Sequence, residues 1–250
     1  MSGHSKWAQI KRKKGVADVR RGMAFSKTAR MITLAAKTGS DPNTNFRLRL
    51  ALESAKKINM PQATILRAIK GASKEGAVLE EVMYEVYGPF GVALLIQVVT
   101  DNKNRASSQV KSTLTKFGGS MGRAGSVSWI FEQKGLITIE KKGMDEETKE
   151  NLELKAIDLG AEDIKEEDEL LEIYTAPQKA HKIAEELKKE GFKIESESLE
   201  MRPKNIVKIE ESTKADKILK LMNALEDLED VDQVYANFDI PTKLLEEVTH

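Results

Sequence analysis

The chain has 250 residues, 40% of them apolar and 5% aromatic, too many for one small domain and enough for two or three mainly aliphatic cores. It has no cysteine and no run approaching 18 apolar residues, which excludes disulfides, thiolate chemistry and a membrane-spanning helix. Its 40 Lys+Arg balance 40 Asp+Glu, but unevenly: residues 1–74 hold 17 cations and 3 acids, 75–134 hold 6 and 6, 135–203 hold 11 and 20, and 204–250 hold 6 and 11. Such polarity is the mark of a nucleic-acid-binding module joined to something else.

The first thirty residues set Lys6, Lys11, Arg12, Lys13, Lys14, Arg20, Arg21, Lys27 and Arg30 against one acid, Asp18, with Trp7 among them. Cations at this density neutralise phosphates and release condensed counterions, and an aromatic ring stacks on an unpaired base. The competing readings are a solvated charged tail and a Trp7 packed on the domain behind it. A helix is predicted over residues 25–37, free of Gly and Pro, with the stripe Met31, Ile32, Ala35 and Ala36 and a stop at Gly39. A second starts near Asn43 or Thr44, both suitable caps. It places Leu48, Ala51, Leu52, Ala55 and Ile58 on one face and Arg47, Arg49, Lys56 and Lys57 on the other. A third opens at Pro61 and buries Ile65, Ala68, Ile69 and Ala72, with Arg67 and Lys70 as further cations. These make a basic three-helix domain, residues 1–78, with an extended N-terminal tail. Cations continuing onto the second and third helices favour nucleic acid over a merely solvated tail.

Residues 92–99 are apolar and β-branched, a buried strand. Asp101 or Asn102 caps a helix reaching Phe117, four glycines between 118 and 125 form a loop, and residues 126–131 read as a strand. At Gly135 a new rhythm begins: strand 136–140, helix 145–159, strands 163–166 and 170–175, helix 177–190, strand 192–200. That is β-α-β-β-α-β. Past Pro203 follow a strand at 206–209, a helix at 213–228 and a strand at 233–238, which with residues 84–132 complete a second such unit. The expected class is α+β: the helical domain, then two ferredoxin-like α/β domains, with the third (135–203, acidic) inserted into the second (79–134 plus 204–240).

Asp101-Asn102-Lys103-Asn104-Arg105 reads as a capped strand-to-helix turn rather than a binding loop. The Gly-rich stretch 118–126 matches neither phosphate-loop spacing and follows a helix instead of opening one, so no nucleotide is expected there. Glu162, Asp163, Glu166, Glu167, Asp168 and Glu169 lack the spacing and glycine of a calcium loop. They read as a solvated acidic face that repels nucleic acid or meets a protein partner. His4, His181 and His250 are scattered and no catalytic pattern appears. A non-enzyme without cofactor or metal is expected.

Met1-Ser2-Gly3-His4-Ser5-Lys6-Trp7-Ala8-Gln9-Ile10-Lys11 resembles the opening of the YebC/PmpR family. Gly39-Ser40-Asp41-Pro42, Asn59-Met60-Pro61, Tyr87-Gly88-Pro89, Thr100-Asp101-Asn102-Lys103-Asn104-Arg105, Gly125-Ser126-Val127 and Leu225-Glu226-Asp227-Leu228 extend the resemblance over essentially the whole chain. Phe90 stands where the family's G-P-G-G pattern has Gly, and Phe46 where Pro is common. The resemblance implies a helical N-terminal domain and two α/β domains, the third inserted into the second. It also implies a regulator of gene expression. Some members are labelled transcriptional regulators that bind promoter DNA. Others resemble translation factors, activating synthesis of cytochrome c oxidase subunit I in mitochondria or relieving ribosome stalling at proline-rich stretches in bacteria. A cytoplasmic protein is expected, with no membrane partner, that binds ribosomal RNA or the ribosome, or alternatively promoter DNA. Lys6, Lys11, Arg12, Lys13, Lys14, Arg20 and Arg21 would meet phosphates and Trp7 would stack, with Lys27, Arg30, Arg47, Arg49, Lys56 and Lys57 extending the surface.

Overall fold

The computed structural model describes residues 18–72, 79–167 and 169–249. They fall into two compact units, one within Met1–Ile130 and Pro203–His250, the other Phe131–Arg202.

The first unit begins with α1 (Asp18–Ala36). It starts seven residues ahead of the predicted helix because Gly22 lies inside it. The Cβ position of Gly22 faces open space, so the glycine costs only its helix propensity, about 1 kcal/mol. The next helix, α2 (Phe46–Lys57), is capped by Asn45 rather than Asn43 or Thr44. The buried Asn45 amide closes two helix ends at once. Its Oδ1 accepts from the Leu48 N–H at 3.1 Å, and its Nδ2 donates to the carbonyls of Ala35 and Gly39, each at 2.7 Å. Asn59, at φ 54°, turns the chain into α3 (Gln62–Gly71). Ile32, Leu48, Ala51, Ala55, Ile65 and Ala68 are the core that the 3.6-residue stripes foretold.

The chain then forms β1 (Glu80–Tyr87), β2 (Ala93–Thr100), α4 (Lys103–Phe117) and the two-residue β3 (Ser120–Met121). Asn102 caps α4, its side chain accepting from the Arg105 N–H, so the 101–105 stretch is the capped turn expected.

The second unit runs β4 (Phe131–Glu140), α5 (Glu146–Asp158), β5 (Ala161–Glu166), β6 (Leu170–Thr175), α6 (Ala180–Lys189) and β7 (Ile194–Pro203). Its sheet order is β5-β6-β4-β7, the split βαβ arrangement that the sequence predicts. Ile137, Ile139, Leu152, Leu171, Ile173, Ile183 and Leu187 form its core.

The first unit resumes with β8 (Val207–Lys208), α7 (Ser212–Glu226), β9 (Val231–Ala236), β10 (Phe238–Asp239) and α8 (Thr242–Thr249). Its main sheet has the order β3-β1-β2-β9, with antiparallel pairs. Val110 and Leu114 of α4 and Ile218, Met222 and Leu225 of α7 share its core.

Three expectations are corrected. Residues 126–131 are not a strand: Ser128–Ile130 is a single 3-10 turn, and the strand begins at Phe131. Gly135 does not open a new element but lies inside β4. A Cβ there would stand 2.5 Å from Ala180 Cβ and 2.7 Å from Thr175 Oγ1, so the glycine answers to close packing. The 206–209 strand does not close the middle sheet, because β8 pairs in parallel with β10 outside it. The sequence reading contains no α8, whose Leu245 is fully buried in the same core.

Candidate nucleic-acid interface

Of the expected contact residues, Lys6, Trp7, Lys11, Arg12, Lys13 and Lys14 lie outside the described residues. Arg20 and Arg21 fall in the first turn of α1. The remaining cations divide into two groups.

One group is engaged with the middle domain. The Lys27 ammonium donates to the Glu226 carbonyl at the C-terminal end of α7, where the helix dipole favours a cation. Arg30 Nη1 donates to the Glu229 carbonyl at 2.9 Å and to Asp230 Oδ1 at 2.8 Å, and its Nη2 pairs with the Glu229 carboxylate. Lys37 donates to the Leu79 carbonyl at 2.8 Å, and Arg47 pairs with Glu81 at 2.7 Å. The helical domain is therefore held to one acidic end of the middle sheet by Lys37 and by three cations, Lys27, Arg30 and Arg47, that the sequence alone assigns to nucleic acid.

Asp230 is the centre of this contact. Its side chain is 3% exposed. It accepts from Arg30, from Arg105 Nη2 at 2.9 Å, and from the Thr100 hydroxyl at 3.1 Å. Arg105 also pairs with Asp101 at 2.7 Å, a hydrogen bond that holds the Asp101 carboxyl below its ordinary range. Hydrogen bonding to Asp230, then to Asp101, raises Arg105 in turn. Thr100, Asp101, Asn102 and Arg105 thus converge on an interface between domains.

Asp232, close by, behaves differently. Burial pushes its carboxyl up to about 6, against the pull of Lys27 and Arg47 and with the push of Glu81. A carboxyl raised above its unfolded value of 3.8 binds a proton on folding, so its contribution weakens stability as pH rises from about 4 to 6 and stays at its full cost above that. Asp232→Asn is expected to stabilise the chain at pH 7 by about 1–2 kcal/mol, discounted for partial exposure, and by nothing below pH 4. Urea unfolding of both proteins at pH 3.5 and 7 checks this; an equal difference at the two values refutes it.

The second group of cations is presented outward. Lys56 and Lys57 are exposed in the last turn of α2, and Arg67 and Lys70 are exposed on α3. Arg49 is intermediate: it donates to the carbonyls of Pro42 and Asn43, both at 3.1 Å, and so braces the turn before α2.

Three acids of the run in the second unit are paired, and Glu167 is buried at 5% exposure instead of lying on a solvated face. Glu162 meets Lys134 at 2.7 Å, Asp163 meets Arg202 at 2.5 Å, and Glu166 meets Lys141 at 2.9 Å and Lys149 at 2.5 Å. These acids form a lattice of surface ion pairs rather than a bare acidic face. Among the described residues no cluster of three His, Asp or Glu is arranged to hold a metal ion, and no helix is long and apolar enough to cross a membrane.

Residues 5–75 match the model of the TACO1/YebC protein N-terminal domain, and residues 79–238 match that of the TACO1/YebC second and third domain. A probable transcriptional regulatory protein of Aquifex aeolicus is 48% identical over 99% of this chain and all of its own length. Another from Halothermothrix orenii is 45% identical over all of this chain and 99% of its own. A crystal structure of a conserved hypothetical protein from Aquifex aeolicus superposes with a TM-score of 0.80 at 46% identity, covering 90% of this chain and 92% of that one.

Proposed function

The chain belongs to the TACO1/YebC family, and we propose that it is a nucleic-acid-binding regulator of gene expression, a non-enzyme that acts on structured RNA of the ribosome through its basic helical domain. The observation that carries the proposal is the excess of cations in residues 1–74, 17 against 3 acids. Lys27, Arg30, Lys37 and Arg47 orient the helical domain on the middle sheet. Lys56, Lys57, Arg67 and Lys70 stay exposed, and Lys6, Trp7, Lys11, Arg12, Lys13, Lys14, Arg20 and Arg21 belong to the same basic stretch of sequence. A dense basic segment with a ring for stacking suits RNA, whose unpaired bases and shape are the readable features.

A second reading has observations of its own. The relatives are named probable transcriptional regulatory proteins. α2 and α3 are joined by a four-residue turn, and α3 exposes Gln62, Arg67 and Lys70, side chains of the kind that reach base edges and phosphates in a major groove. Promoter DNA would then be the target.

Ultraviolet crosslinking in cells, with sequencing of the attached nucleic acid, tests both. The control is a chain lacking residues 1–21. Crosslinks concentrated on ribosomal RNA and lost in the truncated chain are the expected result. Crosslinks at discrete promoter sites would replace it with the DNA reading.

A further inference from the structure

The described residues expose three aromatic rings, Tyr87, Phe90 and Trp129, at 49%, 42% and 62%. All three belong to one end of the middle sheet. The register Tyr87↔Ala93 and Tyr87↔Ser120 puts Tyr87 at the end of β1, and the turn that follows carries Phe90. Trp129 is brought there by Glu85, which shares a strand face with Tyr87. The Glu85 carboxylate accepts the backbone N–H groups of Gly125 and Val127, each at 2.6 Å, and of Ser128 at 2.8 Å. Burial works to raise that carboxyl, and these bonds outweigh it and hold it low. The loop ahead of Trp129 is therefore pinned to the strand.

The rings are presented rather than stranded. The Trp129 indole N–H is satisfied internally, donating to the Ser126 carbonyl at 3.1 Å, so the ring offers solvent its apolar face. Phe90 sits at φ 61°, in the left-handed region that a bulky side chain rarely adopts; such geometry clusters where a side chain has a task. Lys214 and Lys217 lie 5.6 and 5.7 Å from the centre of its ring. Lys214 is also paired with Glu211 at 2.6 Å. The Lys217 ammonium reaches the end of α4, 3.5 Å from where a Cβ on Gly118 would stand. Lys116 and Arg123 are exposed on either side of that turn. Acids of the same sheet gather at the opposite end: Glu80 and Glu81 start β1, Asp101 follows β2, and Asp230 and Asp232 stand at the start of β9.

We propose that this end of the middle domain is a second binding surface, for single-stranded RNA, whose bases stack on Tyr87, Phe90 and Trp129 and whose phosphates meet Lys116, Lys217 and Arg123. Exposed rings interleaved with cations are how strands without fixed sequence are held. Protein interfaces are depleted in lysine, so the lysines point to phosphate rather than to a protein partner. The choice of RNA over other polyanions rests on the function proposed above.

The chain has two tryptophans, so Trp7→Phe in the full-length protein leaves Trp129 as the single tryptophan, whose emission is read by selective excitation at the red edge of indole absorption. A single-stranded 12-mer of RNA is expected to quench it, and a duplex of equal length is not. Tyr87→Ala with Phe90→Ala is expected to weaken binding of the 12-mer about tenfold or more and to leave duplex binding unchanged, at an unaltered melting temperature. Unquenched emission at saturating 12-mer, or wild-type affinity in the double variant, overturns the proposal. So does tighter binding of the deoxyribose 12-mer, or capture of a protein by a photo-crosslinker at position 129 when RNA gives no quenching. The chain lacking residues 1–21 separates this proposal from the one it rests on. Quenching that survives truncation with undiminished affinity upholds this surface and counts against the basic segment. Binding abolished by truncation, with Trp129 silent in the full chain, does the reverse.

Discussion

Asp230→Ala is expected to lower stability by about 2–4 kcal/mol, the cost of removing the shared partner of a buried charge network. The carboxylate is 3% exposed, and Arg30, Arg105 and Thr100 all direct hydrogen bonds to it. Without it the Thr100 hydroxyl falls back on Asn102, donating to its carbonyl at 3.2 Å and accepting from its N–H at 3.0 Å, and two guanidinium groups crowd a site with no central anion. Arg30 retains the Glu229 contacts and Arg105 retains Asp101, which keeps the loss from being larger. Arg30 comes from α1 and Arg105 from α4, so the network joins two domains. Hydrogen exchange in α1–α3 is therefore expected to speed up more than in the middle sheet. A double-mutant cycle with Arg30→Met is the decisive check: the arginine should matter far less once Asp230 is gone. Additive losses would mean that the two side chains act separately and that the interface is held elsewhere.

The same network marks the limit of what the sequence discloses. The apolar stripes of α2 and α3 and the whole inserted β-α-β-β-α-β unit are legible because their patterns are local, and two of their helices carry a local cap, Asn45 ahead of α2 and Asp145 ahead of α5. Charge is not local in that way. Lys27, Arg30 and Arg47 read as phosphate ligands because no acid stands near them in sequence. Their partners arrive from residues 81 and 226–230, as many as 200 positions away. A faint signal exists: no Lys or Arg stands between residues 221 and 242, so the acids between 226 and 232 have no cation near them in sequence, and charges of opposite sign segregated in one chain invite pairing. Residues 126–131 misled for a related reason. Their apolar content suits a strand, but the Glu85 carboxylate takes their backbone N–H groups instead, and only the fold brings it there. Trp129 is thereby exposed in a segment that the pattern alone would bury.

This division of the cations leads to the other large effect. Reversing Lys11, Lys13 and Lys14 to Glu is expected to weaken RNA binding roughly 100- to 1,000-fold near physiological salt, and to reduce the slope of log affinity against log salt by about 2–3. Each lysine that neutralises a phosphate releases about one counterion, so three lost contacts remove about three from the slope, and repulsion by the new carboxylates adds to the loss. Reversing Lys27 and Arg30 should act in another way. Lys27 is committed to the Glu226 carbonyl and Arg30 to Glu229 and Asp230, so the variant should melt at a lower temperature while the salt slope of the folded protein stays near that of the parent. Reversing Lys56 and Lys57, exposed at the end of α2, should resemble the first case, with a slope change of about 1–2. Affinities measured by fluorescence anisotropy at four salt concentrations, beside a melting curve for each variant, separate binding from folding. An unchanged slope in the Lys11, Lys13 and Lys14 variant would remove the basic segment from the interface. A slope lost in the Lys27 and Arg30 variant at full stability would mean that these side chains leave their acids to meet phosphate, and the helical domain would then have to detach from the sheet in order to bind.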